Sequence, residues 1–238
     1  MIVGGIFRLI SIVALLAVLG ISYLLFQNVK QTKETQDLNV QLVEMRQEAE
    51  TEEDNTDWSK GMLDVNPDYK GWLTIYGTQI SEPVVQGETN ETYLRTNING
   101  EHAEAGTLFL DETTDLTQDG NLIIYGHKMN DGTMFAVLQK MADEVFRKKH
   151  SKILLQTSDG LREYRIAAVL KTDIQKLPFN RTEFADDADF LSFQEELFAQ
   201  SLYESQTIHG EDCRLLTLVT CSYEWENART VVIAAEVR

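Results

Sequence analysis

From residue 71 to residue 237 the chain repeats one texture, short apolar runs separated by turn chemistry: "GWLTIYG", "EPVVQG", "AGTLFLD", "GNLIIYGH", "KILLQTSDG", "EYRIAAVLKT", "RLLTLVTC" and "RTVVIAAEV". Eight such strands bury one face each only by closing into a barrel or stacking as a sandwich, and both solutions leave few open edges. Two stretches break the pattern, "GTMFAVLQKMADEVFRKK" after the fourth run and "FADDADFLSFQEELFAQSLYES" after the sixth. Their apolar residues recur at helical spacing, so a helix is expected in each. The chain shows no internal repeat.

Ahead of the strands, residues 9–26 read "LISIVALLAVLGISYLLF", an uncharged run that with "MIVGGIF" before it reaches the roughly 20 residues a helix needs to cross a bilayer. No small-x-small cleavage site follows it, so residues 1–26 are expected to stay as an anchor with a short cytoplasmic start rather than leave as a signal peptide. Arg8 favours a cytoplasmic amino terminus, while Lys30 and Lys33 pull the other way, and charge alone leaves the orientation open. Residues 27–56 are polar, charged and free of glycine and proline, as in a solvated helix or a flexible stalk. Leu38, Val40, Leu42, Val43 and Met45 are too few for a sustained coiled coil. Residues 57–238 remain for one folded domain.

A net charge of −17 with no basic stripe makes nucleic acid a poor partner. Cys213 and Cys221 lie eight residues apart around one extended run, roughly 26 Å at about 3.3 Å per residue, whereas a disulfide needs Cα atoms within about 7 Å. A bridge would require that strand to break, so at least one thiol is expected to be free.

Cys221 ends the strand "LLTLVTC", sharing a face with Leu215, Thr217 and Val219 while Leu216, Leu218 and Thr220 take the other. After the loop "SYEWENA", Arg229 opens the last strand in phase with Val231, Ile233 and Ala235. A guanidinium cannot lose its proton to escape burial, so at such a position it needs a rim and an anionic partner. That partner is either Glu224 or Glu226 in the loop, or an oxyanion developing on a substrate. A reactive thiol also needs a proton carrier. His102 sits in a polar turn, His150 follows a basic helix end, and His209 is about 40 Å from Cys221 along an extended chain, so His150 and His209 read as surface residues. His127 differs, because "NLIIYGH" sets it beyond an apolar strand directly after Gly126, the strand-exit position that Cys221 also holds.

Together "TLVTC", "YGH" and Arg229 resemble the sortase family of Gram-positive transpeptidases, from about Met62 to the end of the chain. The openings "NPDYKGWLTIYGT" and "PVVQGETNETYL", the string "YGHKMNDGTMF" and a long helix before the Cys strand are most similar to class B. The resemblance implies a mainly β fold with helices: an eight-stranded sortase-type barrel with an N-terminal helical segment, preceded by one transmembrane helix, amino terminus inside and catalytic domain outside. It implies Cys221 as nucleophile, His127 as general acid and then base, and Arg229 as oxyanion donor. Asn90, Leu94, Tyr125 and Thr220 would line the substrate groove.

No cofactor and no metal are implied. The implied partners are secreted proteins carrying a C-terminal sorting motif, an amine acceptor on a peptidoglycan precursor or a pilin, and the membrane. Many class B members carry Ser two residues before the Cys where this chain has Val219, and Ser222 stands at a commonly acidic or variable position. Two other readings stay open: an L,D-transpeptidase-like enzyme, although its usual His-Gly-Cys string is missing here, and a non-catalytic membrane-tethered surface module.

Overall fold

The computed structural model describes residues 2–50, 55–118, 120–173, 175–203, 214–221 and 227–237, with side chains left aside at 2–10, 28, 47–50, 55–58 and 221. Two compact units divide the chain, Met1–Leu42 and Val43–Arg238. The first is the greater part of one long helix, α1 (Ile2–Glu50). Its residues 11–27 are exposed, and it is long and apolar enough to cross a membrane by length and composition. The helix continues past residue 26 without a break, and its residues 43–50 belong to the second unit. Arg46 shows why the unit begins so early: its guanidinium lies 5.1 Å from the Trp72 ring and donates to Gln156 Oε1 at 3.0 Å.

In the second unit, α2 (Asn55–Val65) leads into β1 (Tyr69–Ile75), β2 (Ser81–Val85), β3 (Leu108–Leu110) and β4 (Asn121–Tyr125). A 3₁₀ turn (Phe135–Ala142) and α3 (Glu144–Lys149) precede β5 (Lys152–Thr157) and β6 (Gly160–Thr172). Then come α4 (Asp187–Ala199), β7 (Leu215–Cys221) and β8 (Arg229–Glu236). The eight strands close as a barrel in the order β1-β2-β3-β4-β7-β8-β6-β5, and every expected strand is present. Closure, rather than a sandwich, follows from β1 pairing on both sides, with β2 and with β5.

One of the two expected helices is divided. Asp143 adopts an extended conformation between the 3₁₀ turn and α3, and its carboxylate accepts from Phe146 N–H at 2.8 Å, so it caps a new helix instead of continuing the old one. The other is continuous over Asp187–Ala199 and capped by Asp186, which accepts from Asp189 N–H at 2.9 Å.

Two apolar clusters sit on the two sides of the sheet. Leu73, Leu108, Leu122, Ile124, Leu216, Leu218 and Val232 fill the barrel. Ile123, Leu215, Val219, Val231 and Ile233 face outward and pack beneath Phe190, Phe193 and Leu197 of α4. Strand β8 is therefore buried on both faces from Thr230 to Ala235. Its uninterrupted apolar run is what a doubly covered strand requires. His150 corrects another expectation, being 7% exposed rather than on the surface. Its ring packs 4.4 Å from Phe146 and its Nδ1 lies 3.1 Å from Tyr76 O.

Candidate active site

Strands β4 and β7 run parallel, so both leave the barrel at the same end, and antiparallel β8 enters there. Tyr125 pairs with Val219, and Cys221 with Arg229. Tyr125 packs against the outer cluster that holds Val219 and Val231, and strand alternation assigns Arg229 to that same outer face. The sheet thereby brings together, at one end, residues that lie far apart in sequence.

Gly126 carries the chain one step beyond β4, donating its N–H to Val219 O at 3.1 Å. A Cβ at this position would run into the Leu108 side chain and come within 2.8 Å of Phe135, both fully buried, so only glycine lets the exit pass this close to the core. His127 follows. Its carbonyl accepts from Phe135 N–H at 2.9 Å and Lys128 bridges to Met134, closing the loop that holds it. Met134 has φ 52° and ψ −145°, a conformation that costs a buried methionine strain.

His127 Nε2 lies 2.7 Å from Leu94 O. A carbonyl can only accept, so Nε2 carries the proton of this bond and Nδ1 is the nitrogen left to exchange one. Leu94 is itself held from both sides. Neighbouring Tyr93 donates to Asp68 Oδ2 at 2.8 Å and accepts from Asn66 Nδ2 at 3.0 Å. Gly106, at φ 63°, packs so tightly that a Cβ there would stand 2.5 Å from Tyr93 O and 2.6 Å from Leu94 O.

Arg229 is half-buried and donates from Nη1 to Ala228 O at 3.0 Å. The loop 222–226, with Ser222, Glu224 and Glu226, lies outside the described residues, as do Cys213 and His209. At Cys221 the backbone register is the observation. His102, by contrast, is exposed and 3.5 Å from Glu104.

Tyr125 packs against Phe109, ring centroids 5.5 Å apart, and its hydroxyl donates to Asp111 Oδ2 at 3.1 Å. Burial pushes its phenol well above the usual range, the Asp111 carboxylate adds to that, and the Arg229 guanidinium opposes it. Asn90 Nδ2 donates to the same Asp111 Oδ2 at 3.1 Å, while Asn90 Oδ1 accepts from Glu112 N–H at 2.9 Å. Asn90 and Tyr125 thus meet through one carboxylate that sequence reasoning missed. An acid placed directly after the apolar run "TLFL" was the signal that could have found it.

Leu94 keeps its side chain 38% exposed. Thr220 is different: 2% exposed and in phase with Leu216 and Leu218, its side chain belongs to the barrel side, away from the outer face. Its hydroxyl has no hydrogen-bond partner among the described residues. Beside β4, Asn121 donates to Phe179 O and Arg181 O, at 3.2 and 2.8 Å, and accepts from Thr217 Oγ1 at 2.7 Å. These bonds fix the 179–181 segment against the outer face.

A closed eight-stranded barrel sets a cysteine, a histidine and an arginine at neighbouring strand ends, and comparison with known proteins gives the class of enzyme, a cysteine transpeptidase. The Sortase domain family model matches residues 73–237, and the chain belongs to the sortase family. Its relatives are sortases of class B, and it is a transpeptidase of that class. Sortase B of Listeria monocytogenes is 38% identical over 172 residues, 71% of this chain and 69% of that protein. Sortase B of Staphylococcus aureus is 32% identical over 175 residues, 73% and 71% of the two chains. The solved structure of a Staphylococcus aureus sortase B–substrate complex superposes with a TM-score of 0.81 at 29% identity, covering 87% of this chain and 98% of that one. Family membership sets aside the L,D-transpeptidase and non-catalytic readings.

Proposed function

We propose that this sortase is anchored in the membrane by α1 with its amino terminus in the cytoplasm and its barrel outside, where it cuts a C-terminal sorting motif in secreted proteins and passes the fragment to an amine of the cell wall or of a pilin subunit. The observation that carries the reading is the register: Cys221 pairs with Arg229 at the strand end beside which β4 delivers His127. In the proposed domain plan residues 1–26 anchor, residues 27–56 space and residues 57–238 catalyse.

In the first half-reaction Cys221, its thiol proton passed to His127, attacks through sulfur the carbonyl carbon of the scissile peptide bond. Negative charge builds on the carbonyl oxygen beside the Arg229 guanidinium, which donates to it. The C–N bond then breaks as protonated His127 gives a proton to the departing amine, and the acyl group stays on sulfur as a thioester. In the second, the acceptor amine attacks that carbonyl and gives a proton to His127. The C–S bond breaks and the thiolate returns. Water in place of the amine would make the same intermediate hydrolyse. With Nε2 tied to Leu94 O, Nδ1 exchanges the proton in both halves.

Asn90, Leu94 and Tyr125 form the proposed wall of the peptide groove, and Thr220 contributes through the backbone next to the nucleophile. Among relatives, a sortase B–substrate complex and a sortase B complexed with triglycine support a peptide donor and an amine acceptor. The test is to give the detergent-solubilised full chain a panel of sorting-motif peptides with and without triglycine. A ligated product that appears only with the amine supports transpeptidation, and cleavage unaffected by any amine argues against it.

A further inference from the structure

Asp111 is 4% exposed, and burying a carboxylate is costly unless its oxygens are well supplied with donors. Its two oxygens are supplied from different places. Oδ1 accepts from Thr113 N–H at 2.9 Å and Thr113 Oγ1 at 2.7 Å, a local turn that would suffice to shape the β3–β4 connection. Oδ2 accepts instead from two distant side chains, Asn90 Nδ2 in the β2–β3 connection and Tyr125 OH at the end of β4. The main chain at Asp111 is fixed as well, because its N–H donates to Ile123 O at 2.9 Å and its carbonyl accepts from Gln86 Nε2 at 2.9 Å. One oxygen thus holds two groove residues against a rigid frame.

We propose that Asp111 is a positioning residue for the peptide groove, its Oδ2 fixing the Asn90 carboxamide and the Tyr125 phenol in the orientation that receives the substrate backbone. This rests on the reading of Asn90 and Tyr125 as groove residues. Because a carboxylate only accepts, both partners are compelled to donate to it. Asn90 is left with one amide hydrogen, and Tyr125 with its oxygen lone pairs, to meet a peptide. Charge-assisted bonds make the arrangement stiff, so the groove is preformed instead of being ordered by substrate.

The experiment compares the full-length protein with Asp111→Asn, which keeps the shape but turns an acceptor into a donor facing two donors. A sorting-motif peptide should show KM raised about tenfold or more. Alkylation of Cys221 by iodoacetamide, read by mass, should stay within about twofold, because a positioning role leaves the nucleophile alone. Equal losses in KM and Cys221 reactivity would reduce Asp111 to a general structural role, and an unchanged KM would overturn the proposal outright. Should Asp111→Asn not fold, Asn90→Ala and Tyr125→Phe replace it. Sharing one oxygen, their effects on KM should be clearly non-additive, and strict additivity would overturn the proposal. A readout independent of turnover separates this idea from the functional assignment: the Asn90 side-chain amide hydrogens should exchange with solvent more slowly in the wild type than in Asp111→Asn or Tyr125→Phe. Equal exchange rates would sink the positioning role even in a protein that processes peptides, whereas slow exchange without turnover would fault the assigned reaction alone.

Discussion

Cys221 and Arg229 are direct register partners, the last pair of β7 and the first of β8. A thiol and a permanent cation so placed are joined by the sheet itself and not by the loop between them. Replacing Arg229 by Lys keeps the charge and loses the planar fork of donors. Peptide turnover by Arg229→Lys should fall by about 100-fold or more while thermal stability changes little. Near-normal turnover would make Arg229 a partner for the loop acids instead.

His127 and Leu94 set a second relationship, one that nuclear magnetic resonance reads directly. The bond to Leu94 O predicts that the neutral ring carries its proton on Nε2. Nitrogen-15 shifts of selectively labelled protein, read for the neutral form of the ring, should show Nε2 protonated and Nδ1 bare, and the reverse pattern would mean that Nε2 is the exchanging nitrogen.

Gly126 fixes where β4 ends. Adding a methyl in Gly126→Ala forces Leu108 and Phe135 apart inside a closed core, which should cost about 1–3 kcal/mol in chemical denaturation. Because His127 is the next residue, kcat should drop more than stability alone explains. An unaffected kcat would show that the loop closed by Phe135 and Met134 holds His127 by itself.

The strands were legible because each is a short apolar run between turn residues, and the barrel was half legible: alternation demands burial but does not distinguish closure from stacking until β5 is seen to pair with β1. Cys221 and Arg229 were readable as strand-end residues, yet pairing between them is a matter of register, which position along the sequence does not give. Asp111 and the Leu94 carbonyl were harder to see. A backbone oxygen has no sequence signature, and an aspartate after a strand is more often a turn former than a bracket for two distant side chains. The divided helix at Asp143 was readable in principle, since Asp three residues before an amide it can cap is a start signal placed inside an apolar period.

Tyr164 gives the barrel an alkaline limit. It is fully buried, and burial above all, with the Glu236 charge second, lifts its phenol to about 12 from the ordinary value near 10. The folded protein then holds a proton that the unfolded chain gives up, so this contribution is complete below about pH 10 and is lost as pH rises toward about 12. Unfolding free energies measured from pH 9 to pH 12 should decline by up to about 1.4 kcal/mol per pH unit from this group, and Tyr164→Phe should flatten that decline. An identical slope in the variant would assign the alkaline limit to other groups.

The central claim is that Cys221 carries the substrate as a thioester, and intact-mass spectrometry of the full-length protein, quenched in acid during turnover of a sorting-motif peptide, tests it most directly. The account predicts an adduct equal to the acyl fragment, mapped to the peptide containing Cys221, released by hydroxylamine or by an added amine, and absent from Cys221→Ala, which stays folded. Peptide cleavage that proceeds in Cys221→Ala at the wild-type rate, or an adduct that maps to Cys213, would contradict it.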